Sequence, residues 1–194
     1  MKTLLTDMLG TELPIIMAPM FLVTNTRMIV AAAESGIAGC IPALNFRTIE
    51  ELEAGIKEIK SQTNRPFGVN LIVNKSNVLA KKQLFKCLDL GVSFFITSLG
   101  SPQEVITESK KQGIKVFCDV IEETYAKKVE DMGADGVIAV NSGAGGHLGN
   151  IPATVLIPKL KSVCKIPVIS AGGVGTGSGI LSMLALGADG LSIG

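Results

Sequence analysis

The chain has 194 residues, 47% of them hydrophobic and 18% charged, with 18 Lys and Arg against 17 Asp and Glu. Such a balance supplies core for one large domain and excludes a disordered polyelectrolyte. With a net charge of +1, no Trp and a single Tyr, neither a basic stripe nor a stacking platform argues for a nucleic-acid partner.

Short apolar runs alternate with longer segments of helical periodicity, the pattern of βαβ units in a parallel sheet. The first run is Pro14-Ile15-Ile16-Met17-Ala18, followed by a helix over 26–35 that Gly36 stops. A strand over 37–43 leads to a helix over 48–62, where Thr48 and Glu51 have capping-box spacing. A third strand over 67–73 precedes a helix over 78–90, and a fourth over 92–97 precedes a turn at Gly100-Ser101-Pro102 and a helix to 112. The fifth unit is a strand over 115–120 and a helix over 122–132. The sixth is a strand over 136–140, a glycine-rich loop, and a helix over 153–163. The seventh strand, 166–171, passes through Gly172-Gly173-Val174-Gly175 into a helix to 186, and the eighth is Gly190-Leu191-Ser192-Ile193.

Leu90-Gly91-Val92, Met132-Gly133-Ala134-Asp135-Gly136 and Leu186-Gly187-Ala188-Asp189-Gly190 each put Gly at a helix end before a strand. Eight β/α repeats with continuous apolar strands predict an α/β fold, a (β/α)8 TIM barrel, with an open doubly wound sheet as the alternative. Because such barrels run to about 200–250 residues, the expectation is a single domain over 1–194, truncated after the eighth strand. On this expectation the chain lacks the C-terminal helix and the segments after it.

The four cysteines, Cys40, Cys87, Cys118 and Cys164, are scattered without a C-x-x-C pair, so reduced thiols and no metal are expected. The start of the chain has no signal-peptide apolar region, and no window reaches the roughly 18 apolar residues that span a bilayer. A cytoplasmic protein without a membrane partner is expected; the oligomeric state is not legible.

Chemistry concentrates in Asn141-Ser142-Gly143-Ala144-Gly145-Gly146-His147-Leu148-Gly149, which holds the only histidine of the chain and four glycines. Glycines let a backbone turn sharply and approach a ligand, and an imidazole titrates near neutral pH. Strand ends carry the sites of a TIM barrel, and the loops after strands seven and eight hold phosphate. The run Gly172-Gly173-Val174-Gly175-Thr176-Gly177, opening a helix, suits an anion, but it lacks the G-x-x-x-x-G-K-[ST] of a P-loop. Asn70 is an amide inside an apolar strand, which either bonds backbone neighbours or faces a flat polar ligand. Asp119 faces the site or caps a helix, and Asn45 is equally ambiguous. Ser142 lacks the G-x-S-x-G context of a hydrolase nucleophile.

Met17-Ala18-Pro19-Met20, Pro66-Phe67-Gly68-Val69-Asn70, Gly143 to Gly149, Pro167 to Val174 and Leu186 to Gly190, in this order along the chain, resemble the nitronate monooxygenase family, formerly 2-nitropropane dioxygenase. The resemblance implies a non-covalent FMN. Pro19 and Met20 would line the flavin through backbone contacts, Asn70 would contact it, and Gly145 and Gly146 would lie close to it. Gly172, Gly173 and Gly194 would hold its phosphate. His147 would be catalytic, as the base toward a nitroalkane or the group that orients a nitronate. The implied activity is oxidation of alkyl nitronates by O2 to a carbonyl compound and nitrite. Val140 stands where many relatives carry Gln, which removes one polar contact. Flavin-dependent enoyl-acyl carrier protein reductases, which use NAD(P)H, also resemble the chain; a non-catalytic phosphate-binding barrel or inactive fragment is the third reading.

Overall fold

The computed structural model describes residues 1–194. Its elements in chain order are α1 (Leu4–Leu9), β1 (Ile15–Met17), α2 (Thr26–Glu34), β2 (Ala38–Pro42), a 3-10 turn (Ala43–Asn45), α3 (Ile49–Gln62), β3 (Phe67–Ile72), α4 (Ala80–Asp89), β4 (Phe94–Ser98), α5 (Gln103–Lys110), β5 (Lys115–Val120), α6 (Glu123–Met132), β6 (Gly136–Val140), α7 (Ala153–Val163), β7 (Val168–Ala171), α8 (Gly177–Ala185) and β8 (Gly190–Ile193). The strands follow one another in sequence order around a closed parallel barrel, the (β/α)8 class. No helix is long and apolar enough to cross a membrane. Two compact units make up the chain, Met17–Val116 and Met1–Ile16 with Phe117–Gly194.

In the unit Met17–Val116, Asn25 starts α2 by accepting the Met28 N–H on its side chain at 3.1 Å, which satisfies one of the donors a helix start leaves open. Thr48 starts α3 in the same way, accepting from Glu51 N at 3.2 Å. The expected capping box is displaced by one residue, because the Glu51 carboxylate takes the N–H of Arg47 at 2.8 Å. β2 pairs with β3 from Gly39 opposite Phe67 to Pro42 opposite Asn70. β3 pairs with β4 from Gly68 opposite Phe94 to Ile72 opposite Ser98. Ile41, Leu71, Phe94 and Phe95 are fully enclosed, each contributing about 1.5–3 kcal/mol by leaving water. Helix α4 begins two residues later than its periodicity suggests: the Asn77 side chain accepts from Leu79 N at 3.1 Å and donates to the Ile72 carbonyl at 2.9 Å, holding 77–79 as a turn.

In the unit Met1–Ile16 with Phe117–Gly194, β5 pairs with β6, β6 with β7 and β7 with β8. Helix α1 has no counterpart among the predicted elements. It is six residues long, and its capping box is closed by Thr3 and Thr6 rather than by Glu or Gln. It anchors through Leu5, which is fully buried and lies where a Cβ on Gly190 would stand, 2.3 Å from a Leu5 methyl carbon. Glycine opens β8 because α1 occupies that space. Asp189, just before it, accepts the Val168 N–H at 2.8 Å and the Lys161 ammonium at 2.8 Å. The Gly-Ala-Asp-Gly repeat around Asp189 is thus a clamp joining the end of α7 to the start of β7.

Candidate active site

β6 is buried along its whole length and delivers Asn141, which is 2% exposed. The Asn141 carbonyl-side oxygen accepts from Gly143 N at 2.7 Å and its amide donates to the Gly172 carbonyl at 3.1 Å. Its backbone N–H donates to Ala171 O at 3.0 Å, and its carbonyl accepts from Ala144 N at 3.1 Å. Two glycine loops, one after β6 and one after β7, are tied through this one residue. They are also in contact: a Cβ on Gly172 would stand 2.4 Å from Ala144 N, and one on Gly143 would stand 3.0 Å from the Gly173 Cα. Gly172 and Gly173 have φ of 114° and 75°, a region that admits glycine without strain.

Gly145, Gly146 and His147 form the exposed turn of the first loop, and no Cβ on Gly145 or Gly146 would meet anything within 4 Å. His147 makes no hydrogen bond inside the chain, so both ring nitrogens are available to a ligand. The second loop runs into α8, where Thr176 caps the helix by accepting Gly179 N at 3.2 Å. The N–H groups of Gly173, Val174 and Gly175 donate to nothing in the chain, and the positions of Gly175 and Gly177 are open. Free N–H groups at the start of a helix suit an anion. Gly194 follows β8. Asp119 lies within β5, half-buried, and the N-cap of α6 is Glu122, so Asp119 is not its cap. Burial, with Cys118 and Asp119 nearby, pushes the Tyr125 phenol up. Ser142 is exposed; its N–H donates to Ile151 O at 3.0 Å.

In the unit Met17–Val116, the loop after β1 carries Pro19 and Met20, both half-buried. Asn45 donates to Thr24 O at 2.8 Å and Met20 O at 3.4 Å, and accepts from Leu22 N at 2.9 Å. Asn45 is a loop clamp, and it holds Leu22 at φ 58°. Met20 has no spare backbone donor, since its N–H goes to the Thr24 hydroxyl at 2.9 Å. Asn70 in β3 is 6% exposed. Its amide donates to Ile96 O at 3.1 Å and the Ser98 hydroxyl at 2.9 Å. Its oxygen takes no donor from the chain, so what Asn70 offers a ligand is an acceptor alone.

Asn141 stands in the glycine stretch singled out from the sequence but without a role assigned there, although it closes the loop it introduces. The available signal was Asn-Ser-Gly, an Asx turn in which the side chain bonds the backbone two residues on. No cluster of three or more His, Cys, Asp or Glu side chains is placed to hold a metal ion.

Residues 2–87 and 80–194 match the model of the family described as nitronate monooxygenase. The chain is 33% identical over its whole length to a curated relative from Rhodococcus jostii (strain RHA1), (3aS,4S,5R,7aS)-5-hydroxy-7a-methyl-1-oxo-octahydro-1H-indene-4-carboxyl-CoA dehydrogenase, and spans 54% of it. It is similar to FabK from Thermotoga maritima, with a TM-score of 0.94, 34% identity and coverage of 100% of this chain and 61% of that one. Against nitroalkane oxidase from Streptomyces ansochromogenes the TM-score is 0.88 and the identity 28%, covering 98% and 66%. The chain thus spans little more than half of its curated relative. With the family model matched across both glycine loops and the β1 and β3 motifs, the chain belongs to the nitronate monooxygenase family.

Proposed function

We propose that the whole protein is an FMN-dependent oxidoreductase that oxidises alkyl nitronates with O2 to a carbonyl compound and nitrite. The observation that carries this is the pairing of two loops: the His147 loop lies against a loop of glycines with free N–H groups at the start of α8. The residues fit the cofactor. A phosphate suits the open N–H groups of Gly173, Val174 and Gly175, and the unpaired Asn70 oxygen suits an N–H donor such as a flavin ring carries. Gly172, Gly173 and Gly194 would hold the phosphate, and Gly145 and Gly146 would let the ring approach. Pro19 and Met20 would line it by their side chains, since the Met20 N–H is already used. FMN, when bound, supplies the electron acceptor.

The work of the chain is proton handling and orientation. A neutral imidazole at His147 takes the proton from the carbon beside a nitro group, and in its charged form holds the anion that results. Burial of β6 and the Asn141 ties anchor the base of the loop that carries it. Mixing the flavin-loaded protein with an alkyl nitronate under anaerobic conditions, and separately with NADPH, tests the reading. Bleaching of the flavin band near roughly 450 nm by the nitronate alone is expected, with turnover lost in His147→Asn.

A second reading, an NAD(P)H-dependent enoyl-thioester reductase, is favoured by the likeness to FabK at 34% identity and to a dehydrogenase of a CoA thioester at 33%. Bleaching by NADPH and not by nitronate would replace the first reading with this one.

A further inference from the structure

We propose that Asn141 is a positioning residue that couples the histidine loop to the phosphate-type loop, so that a ligand seated on the second loop sets the order of the first. Its role for a cofactor rests on the reading above; the mechanical tie rests on geometry alone. A side-chain amide is well suited to this task because it accepts on one side and donates on the other. Here the acceptor holds Gly143 N at 2.7 Å and the donor holds Gly172 O at 3.1 Å. Buried to 2% exposure, the group has no water to replace either bond at low cost.

The surroundings make the tie directional. Asn141 directly follows the buried strand β6, with its own N–H fixed to Ala171 O at 3.0 Å. Beyond it, Gly143, Gly145 and Gly146 provide little resistance to motion, and His147 has no hydrogen bond of its own to the chain. Order in that turn therefore comes from its base: the Asn141 bonds, the Ser142 N–H to Ile151 O at 3.0 Å, and the contact of Ala144 with Gly172. A ligand that fixes Gly172 and Gly173 fixes the carbonyl that Asn141 holds, and through it the start of the His147 turn.

Two substitutions separate holding from coupling. Asn141→Ala removes both bonds. Asn141→Asp keeps an acceptor for Gly143 N but cannot donate to Gly172 O. The measurement is backbone amide hydrogen exchange across 142–149 and 172–177 in the full-length protein, with and without inorganic phosphate, which seats on the second loop alone. In the parent protein phosphate is expected to slow exchange in both segments. In Asn141→Ala, exchange across 142–149 is expected to be about tenfold faster, the loss of roughly one buried hydrogen bond, and phosphate no longer slows it. In Asn141→Asp the Gly143 amide stays slow, yet phosphate protects only 172–177. Transmission of phosphate protection to 142–149 in either variant, or its absence in the parent, overturns the coupling. If phosphate does not bind the parent protein, the anion reading of the second loop fails instead. The tie is then judged without ligand, where unchanged exchange at Gly143 in Asn141→Ala overturns it.

Discussion

Gly172 is the residue at which the site is least forgiving. With φ at 114° and the backbone of Ala144 against the place where a Cβ would stand, Gly172→Ala combines backbone strain with a collision that no side chain can relieve. Each sparsely populated backbone state costs about 1–3 kcal/mol, so a loss of at least this size is expected in urea unfolding, together with weaker FMN binding in a flavin titration. The neighbouring Gly175 offers a contrast. Its position is open, and Gly175→Ala is expected to leave the unfolding midpoint within about 0.5 kcal/mol of the parent. Equal destabilisation by both would mean that the contact between the loops is not what makes Gly172 special.

At the scale of elements, α1 and α3 carry the clearest expectations. Leu5 is fully buried and fills the space above Gly190. Truncation in Leu5→Ala should cost about 2–5 kcal/mol, depending on how far the cavity collapses. A Tm that does not move would show that α1 is not part of the cooperative fold. In α3, Glu53 bonds Lys57 at 2.6 Å and reaches Lys86 of α4 at 2.7 Å. The Lys57 bond first and the Lys86 bond second pull its carboxyl well below the usual carboxylate range, to about 2. A depressed acid stabilises the folded state above its unfolded value, here 4.5, and that contribution is lost as the pH falls through about 2. Lys86→Met is therefore expected to flatten the acid limb of stability between those values by slightly lowering stability at neutral pH, where the pair is intact, and leaving it unchanged near pH 2. An acid limb identical to the parent's would show that the pair between the helices contributes nothing.

For the whole molecule, all four cysteines are buried and none is in a disulfide. Burial alone pushes Cys87 up to about 12, so it is a packing residue and not a nucleophile. A thiol reagent at pH 8 is expected to find almost no rapidly reacting group in the native protein and all four after denaturation. The sign of the pH effect is opposite to that of Glu53. A neutral Cys87 favours the folded state fully below its unfolded value of 9.0, and the contribution fades as the pH rises through about 12. A native thiol that reacts within seconds would contradict the burial described for it.

The succession of eight strands along the chain, the start of α3 at Thr48, the glycine stops and both glycine loops were legible in the sequence, whereas the order of the strands in the sheet came from the fold. Apolar runs, capping residues and glycines act over a few neighbours, and neighbours are what a sequence displays. Helix α1 was not legible, because a six-residue element with little periodicity exists through Leu5 against Gly190, two positions at opposite ends of the chain. Asn45, Asn70 and Asn141 show the same division. That polar amides stand at or beside strand ends, where a barrel keeps its chemistry, follows from residue type and place along the chain. What each amide does follows from packing: Asn45 closes the loop after β1, Asn70 spends its donors on β4 and keeps an acceptor, and Asn141 joins two loops. An amide has both donors and an acceptor, and which of them remains for a ligand depends on partners about 20 to 30 residues away that only folding brings within hydrogen-bond distance.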